Sequence, residues 1–168
     1  AAAGTPDSLR IAETLTFTVT EVGKAAVSTN VAVAANAESS AVAASINANV
    51  TGVVATASTA VRIGNVNTSD GDTVALTING QSLGVIAVGA NDTAFGATVA
   101  TAIASNAALS GLTVSTDANG ITLRDSSGAD ITVAVGAITD GDVAGGANQV
   151  DVEAVDTDGN IIGGTGTV

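Results

Sequence analysis

The chain has 168 residues and a formal net charge of -12, from 16 acidic and four basic side chains. Such a charge repels phosphate backbones and anionic lipid surfaces, so the composition argues against nucleic-acid and membrane partners. Because the sequence contains no Cys and no His, it excludes disulfides, thiol catalysis, Cys-based zinc sites and the usual proton shuttle.

Most hydrophobic side chains in this sequence are small. Hydrophobic residues make up 46% of the chain, yet only Phe17 and Phe95 are aromatic. Since apolar burial contributes about 25 cal/mol per Å², a core of Ala and Val needs many modest contacts and a well-paired backbone.

No apolar run approaches the length of about 18 residues that spans a bilayer. The opening Ala-Ala-Ala-Gly lacks a signal-peptide pattern, so we expect any targeting signal to lie outside this sequence.

The first part of the chain is predicted to form four strands and one helix. Alternating apolar positions predict strands at Thr14–Thr20, Val27–Val33, Val53–Ala57 and Ala60–Ile63. Asn36 is a suitable N-cap for the helix, because its side-chain oxygen can accept a hydrogen bond from the first turn. Val42 and Ile46 lie four residues apart and share one helix face. We expect this helix to end at Thr51-Gly52.

The second part follows the same order. Strands are predicted at Thr73–Asn79, Leu83–Val88, Leu112–Thr116, Ile121–Leu123 and Ile131–Val135. Asn91 is the expected N-cap, and Phe95, Val99 and Ile103 form the apolar helix face. The helix is expected to end at Ser110-Gly111. Asn119-Gly120 predicts a hairpin turn, because both residue types tolerate positive φ.

The two parts are related by an internal repeat. The segments Thr14–Thr20 and Thr73–Asn79 share their alternation, and Val42 and Ile46 correspond to Val99 and Ile103. The sequence therefore predicts a β-rich α+β fold with two tandem strand-strand-helix-strand-strand units and mostly antiparallel sheets.

Polar segments set the predicted domain limits. Residues 65–72 and the Gly- and Asp-rich residues 139–148 are the expected joints. These joints divide the chain into a first unit at residues 1–66, a second unit at 67–138, and a Gly/Asp-rich connection at 139–168. The last part is expected to add strands at Val150–Val155 and Asn160–Ile162.

A family resemblance rests on the second unit. Ile78-Asn79-Gly80, Ala102-Ile103, the run Gly111–Ser115 and the run Gly120–Leu123 resemble the Ile-Asn motif in the variable central parts of flagellins and hook-associated proteins. In the first unit, Glu21-Val22-Gly23 replaces the Ile-Asn-Gly turn. The resemblance covers residues 14–135, and the long terminal helices by which flagellins polymerise are not in this sequence.

The resemblance implies a function as well as a fold. It implies a non-enzymatic structural domain, without cofactor or small-molecule substrate, on the extracellular surface of the bacterial flagellar filament. Its expected partners are other flagellin protomers, with contacts between neighbouring outer domains. Two alternatives stay open from the residues: a calcium-binding adhesin or surface-layer module, and a hook-associated or cap protein.

Three Asp-Gly loops are the candidate cation ligands. They are Asp70-Gly71-Asp72, Asp140-Gly141-Asp142 and Asp156-Thr157-Asp158-Gly159. Carboxylate oxygens suit Ca²⁺, but no loop has the ligand spacing of an EF-hand, and Asp and Gly are the ordinary residues of tight turns. We therefore expect plain turns and assign no metal residue.

Catalytic and modification signals are weak. Without His, the Ser and Thr hydroxyls have no usual base, and only a Ser-Lys dyad on Lys24 can be drawn. Paired carboxylates fall mostly in predicted loops, which favours a solvated acidic surface over acid-base catalysis. Asn49, Asn67 and Asn91 begin N-glycosylation sequons, which this composition produces by chance, and Asn91 is better explained as a helix cap. No catalytic residue is assigned.

Overall fold

A computed structural model describes residues 11–67, 71–139, 149–156, 158–162 and 166–167. Across these ranges the elements are, in chain order, β1 (Glu13–Val19), β2 (Val27–Val33), α1 (Ser39–Asn49), β3 (Thr59–Asn67), β4 (Thr73–Ile78), β5 (Gln81–Ala87), α2 (Asp92–Ala104), a 3-10 turn (Ala107–Leu109), β6 (Leu112–Asp117), β7 (Gly120–Asp125), β8 (Val133–Thr139), β9 (Gln149–Ala154) and β10 (Gly166–Thr167).

The strands form three sheets. β1 and β2 make a two-stranded sheet, β10-β9-β3-β7-β6 make a five-stranded sheet, and β5-β4-β8 make a three-stranded sheet. The pairings between described strands are all antiparallel. The predicted β-rich α+β class with antiparallel sheets is confirmed at this level.

The larger core lies around α2, which contacts β3, β6 and β7 of the five-stranded sheet and β5 of the three-stranded sheet. Phe95 and Val99 are fully buried and Ile103 is 3% exposed, so the predicted apolar face of this helix is confirmed. Asn91 caps the helix as predicted, its side chain accepting a 2.9 Å hydrogen bond from Ala94 N. The core is completed by buried residues of β3, β4, β5, β7, β8 and β9.

A smaller apolar cluster lies between α1 and the β1–β2 hairpin. Val31, Ile46 and Val50 are its buried residues, and Val42 is half-buried beside them. The predicted Val42 and Ile46 face is therefore the one that packs. The cluster is joined to the rest of the fold where Ser40 N donates a 3.1 Å hydrogen bond to the Gly128 carbonyl.

The two-unit arrangement is not confirmed by the strand pairing. β3 was predicted to close the first unit, but it lies between β7 and β9 in the five-stranded sheet. Its Val61 and Ile63 are buried in the larger core. β3 also continues to Asn67, into the predicted joint at 65–72. The predicted domain limits at residues 66 and 138 stay predictions.

Two predictions in the first unit are wrong. Asn36 does not cap α1, because it has a left-handed φ of 56° in a turn that Ala37 N closes on Ala34 O, and the helix begins at Ser39. Residues 53–57 alternate between half-buried and exposed as a strand would, but they form no strand. Instead, the Asn47 side-chain amide bonds the N–H and the carbonyl of Ala55 at 2.7 and 2.8 Å, as a neighbouring strand would do.

Other boundaries also differ from prediction. α2 ends at Ala104 and not at Ser110-Gly111, because Asn106 caps a separate 3-10 turn. β8 runs from Val133 to Thr139, two residues later than expected at its start. The strand predicted at Asn160–Ile162 is reduced to an isolated bridge between Val155 and Ile161. The Gly52 prediction is confirmed in part, since Gly52 has φ +82° just beyond the end of α1.

Three glycines let β3, the β6–β7 turn and α2 approach closely. A Cβ on Gly64 would lie 1.8 Å from the Asn119 carbonyl oxygen, and one on Gly120 would lie 2.2 Å from the Ile63 carbonyl oxygen. A Cβ on Gly96 of α2 would lie 3.1 Å from the Gly120 carbonyl oxygen. The close packing of α2 against the five-stranded sheet thus depends on the lack of side chains at Gly64, Gly96 and Gly120.

Candidate interaction surface

The Asp-Gly loops do not form a metal centre in the described part of the chain. No group of three or more His, Cys, Asp or Glu side chains is placed there to hold an ion. Asp70 and the loop at residues 140–142 lie outside the described residues. Asp72 is described and is 1% exposed, and its backbone carbonyl accepts a 2.9 Å hydrogen bond from Val88 N.

The Asp156 loop is built as a turn. Asp156 Oδ1 accepts from the backbone N–H groups of Asp158 and Asn160 at 2.9 and 2.8 Å. Its Oδ2 accepts from the Asn160 side-chain amide at 3.0 Å. These hydrogen bonds, the Asn160 side chain first, lower the pKa of Asp156 below its ordinary value, although partial burial acts in the opposite direction. Both oxygens therefore serve the loop itself.

The other weak signals also have structural roles. Lys24 Nζ lies 2.5 Å from Glu21 Oε2, and both side chains are exposed. The Asn49 side chain donates to the Ser45 carbonyl at 2.8 Å, and Asn91 is the helix cap described above. The Asn67 sequon continues into residues outside the described ranges.

An open groove lies beside α1. It has a volume of about 330 Å³ and is lined by Ser39, Val42, Ala43 and Ile46 of α1 and by residues 55–58. The lining has hydroxyl and methyl groups but no titratable side chain.

Neither described helix is long and apolar enough to cross a membrane.

The outer face of the five-stranded sheet carries two of the four basic residues of the chain. Arg62 of β3 is directly opposite Glu153 of β9, and Arg62 Nε donates to Glu153 Oε2 at 2.9 Å. These side chains are only 20% and 12% exposed. On the next strand, Arg124 of β7 is opposite Thr113 of β6 and is half-buried. Sequence reasoning missed this pairing, because it requires the non-consecutive order of β9, β3 and β7.

The edge strands differ in regularity. β5 and β8 are the edges of the three-stranded sheet, and each has a pairing irregularity with β4, at Leu76/Thr77 and at Val74/Leu76 respectively. Such bulges disfavour pairing with another chain. β6 is an edge of the five-stranded sheet, and its six residues pair with β7 without a shift. It is the most regular edge around the larger core.

The β1–β2 hairpin has one polar face. Thr16 Oγ1 donates to Asn30 Oδ1 at 2.8 Å, and the Thr18 and Ser28 hydroxyls are 3.0 Å apart. All four side chains belong to directly opposed pairs on the face away from the apolar cluster. This exposed surface carries hydroxyl and amide groups and no charge.

The Ile-Asn-Gly turn of the second unit has a defined geometry. Ile78 is fully buried, while Asn79 and Gly80 form a two-residue hairpin turn with φ of 49° and 74°. Asn79 N donates to the Thr132 carbonyl at 2.9 Å, and Asn79 Oδ1 accepts from Thr132 N at 2.8 Å. The turn therefore holds the start of β8 as well as joining β4 to β5.

No protein-family model and no curated protein matches this sequence.

Proposed function

We propose that this chain is the surface-exposed outer domain of a bacterial flagellin, a structural and non-catalytic part of the extracellular filament. The observation that carries the proposal is the Ile78-Asn79-Gly80 turn. Each residue of the motif has its own structural role: Ile78 fills the core, Gly80 supplies a positive φ, and Asn79 bonds both polar backbone groups of Thr132. Because all three residues of the motif have a structural role, the motif supports the resemblance more strongly than sequence identity at these positions would.

We further propose that the chain arose as two Ile-Asn-type units. In support, β1–β2–α1 and β4–β5–α2 are both an antiparallel hairpin followed by a helix. Ile46 and Ile103, which correspond in the repeat, are both buried. In this proposal residues 139–168 lead the chain back toward the filament core.

The surface composition fits a domain that projects into solvent between like neighbours. Sixteen acidic residues against four basic ones keep copies soluble and mutually repelling at low salt. Contacts between neighbouring outer domains then require neutral or oppositely charged surface, and the edge strands are the candidates.

The test uses cells that make the protein. Antibodies against this chain should label sheared filaments along their length in electron microscopy, and an in-frame deletion of residues 1–168 should abolish the labelling while filaments still assemble. Filaments that are never labelled in the parent cells would refute the proposal. Labelling confined to the hook junction or the tip would favour a hook-associated or cap protein.

The adhesin alternative is tested separately with calcium. A cation that binds only the folded chain raises its melting temperature. We expect the Asp156 loop to contribute no rise at millimolar Ca²⁺, because its carboxylate oxygens already accept hydrogen bonds within the loop. A sharp rise in the melting temperature of the chain would favour the adhesin.

A further inference from the structure

We propose that the edge of β6 that no described strand pairs is a docking strand for β6 of a second copy of this chain. The two strands pair antiparallel about a two-fold axis at Ser115, so that Ser115 faces Ser115 of the other copy. This inference deepens the proposed contacts between outer domains and rests on that function for its setting, although the pairing is a property of the isolated chain.

The choice of β6 follows from a comparison of the edges. The β5 and β8 edges are irregular, and the described part of β10 has two residues. β6 is regular over six residues and contains neither Pro nor a basic residue, which are the usual protections of an edge strand. β1 and β2 are also regular, but their one charged residue is the acidic Glu13, so two copies would bring no opposite charges together there.

Charge complementarity selects the second copy as the occupant. With Ser115 on the axis, Asp117 of the other copy lies opposite Thr113, and Thr113 is already opposite Arg124. Residues at alternate positions share a sheet face, and neighbouring strands are about 4.8 Å apart. The Asp117 and Arg124 Cα atoms of the two copies would therefore be about 10 Å apart, a gap that the two side chains can close across the small Thr113.

The two-fold axis gives this contact twice. A guanidinium has five N–H donors, so Arg124 can bind a carboxylate of the second copy in addition to its contacts within its own chain. Asp117 is exposed and uses Oδ1 for a 2.7 Å hydrogen bond from Asn119 N, which leaves its other oxygen facing solvent or partner. In a chain with a net charge of -12, two such contacts offset the repulsion between copies at this edge.

Cysteine cross-linking tests the register, because the chain has no thiol of its own. Directly opposed residues have Cα atoms about 4.5 to 5.5 Å apart, within the range of about 4.4 to 6.8 Å that a disulfide needs. Ser115→Cys should therefore form a covalent dimer under mild oxidation. Thr113→Cys is the matched control on the same strand and face, since the two copies of residue 113 would be about 14 Å apart.

The charge contact is tested with Asp117→Asn, which keeps an acceptor for Asn119 N. Sedimentation equilibrium with interference optics suits a chain that lacks Trp and Tyr. We expect dimerisation to weaken by about three- to tenfold, as for the loss of two exposed ion pairs. General repulsion predicts the opposite sign, because the variant is less negative. The Ser82→Asp variant, changed on the irregular β5 edge, should dimerise nearly as strongly as the parent chain. The Ser115→Asp variant should not dimerise.

Circular dichroism of each variant establishes that it is folded before the outcomes are compared. Equal cross-linking of the Ser115→Cys and Thr113→Cys chains, or none in either, would overturn the proposal, as would tighter association of Asp117→Asn. If the antibody labelled filaments but the Ser115→Cys chain formed no covalent dimer, the β6 contact would be refuted and the outer-domain function would stand. If the covalent dimer formed but no filaments were labelled, the outer-domain function would be refuted and the β6 contact would stand.

Discussion

Replacing Gly64 with Ala tests whether the close approach of β3 to the β6–β7 turn stabilises the fold. The new methyl group would lie 1.8 Å from the Asn119 carbonyl oxygen and 2.9 Å from its carbonyl carbon. No rotamer change can relieve this contact, because both partners are backbone atoms. The β6–β7 turn would have to move away from β3 by more than an ångström.

That movement is opposed by the surrounding structure. Ile63 and Ile121, both fully buried, form the adjoining pair of the β3–β7 ladder, and Gly96 packs α2 on the Gly120 carbonyl. Overpacking of a well-packed site costs about 1 to 3 kcal/mol and sometimes more, and a backbone clash belongs at the upper end. We expect a loss of about 3 kcal/mol, equivalent to a fall in melting temperature of about 6 to 12 °C for a domain of this size.

Far-UV circular dichroism or calorimetry measures the effect. Gly111→Ala is the matched control, because a Cβ there meets nothing within 4 Å and Gly111 is not among the glycines with positive φ. We expect that variant to stay within about 0.5 kcal/mol of the parent. If the Gly64→Ala chain melted within about 2 °C of the parent, a shift of under about 1 kcal/mol, the close approach would not be a constraint and the reasoning would be wrong.

Three further predictions concern polar contacts. Arg62→Ala should lower the free energy of unfolding by about 2 kcal/mol, because it removes the guanidinium that binds the mostly buried Glu153 carboxylate. Lys24→Ala should cost less than about 1 kcal/mol, since its ion pair is exposed. Urea unfolding measures both, and equal effects would contradict the burial argument. Asn91→Ala should cost about 1 kcal/mol through loss of the helix cap, and Asn91→Asp should restore most of it, so a failure of Asp to restore stability would count against capping. The Asp156 carboxyl should titrate below its ordinary pKa by NMR, so its contribution to stability is present above the unfolded-state pKa and is lost as pH falls through the folded-state pKa; an unshifted titration would mean that the loop hydrogen bonds do not form in solution.

Local structure in this chain could be predicted from the sequence where a residue acts on its own neighbours. Asn91 caps α2 because its side chain needs only the N–H three residues later. The Ile-Asn-Gly turn named with the family resemblance forms at Asn79-Gly80, because both residues accept positive φ, although the alternation placed Asn79 in the strand Thr73–Asn79. In the β6–β7 hairpin the turn lies one residue earlier than Asn119-Gly120: Ala118 and Asn119 are its loop residues, and Gly120 begins β7 and alone has positive φ there.

Predictions failed where a residue type suits two local structures, or where a side chain takes the place of a pairing strand. Asn36 has the residue type of a cap, but the same side chain also tolerates the left-handed region, and the turn after β2 uses it in that way. Residues 53–57 have a strand pattern, but Asn47, in the preceding helix, supplies the hydrogen-bonding partner that a strand would provide. Nothing in the spacing of Asn47 and Ala55 indicates this arrangement before the helix has been placed.

The position of β3 in the sheet is the feature of the topology that the repeat predicts least well. A repeat shows which segments are alike, but it does not say with which strand each segment pairs. β3 follows α1 in the chain, yet its neighbours are β7 and β9, because a strand with buried residues on its inner face gains most where a large core already exists. Burial of Val61 and Ile63 against α2 and β7 decides the pairing against the sequence order.

The identification of β6 as a docking strand likewise depends on the strand order in the sheet. The residues Leu112–Asp117 alternate like those of other strands, and nothing in their order marks β6 as an edge. Only the sheet order shows that β6 ends the five-stranded sheet, that its ladder is regular, and that Arg124 lies one strand inward on the same face. In a chain this acidic, contact between copies is favoured where such a basic residue is brought within reach of a partner's carboxylate. The Asp117→Asn experiment therefore bears on the fold and on the contact together, since the expected sign depends on the observed position of Arg124.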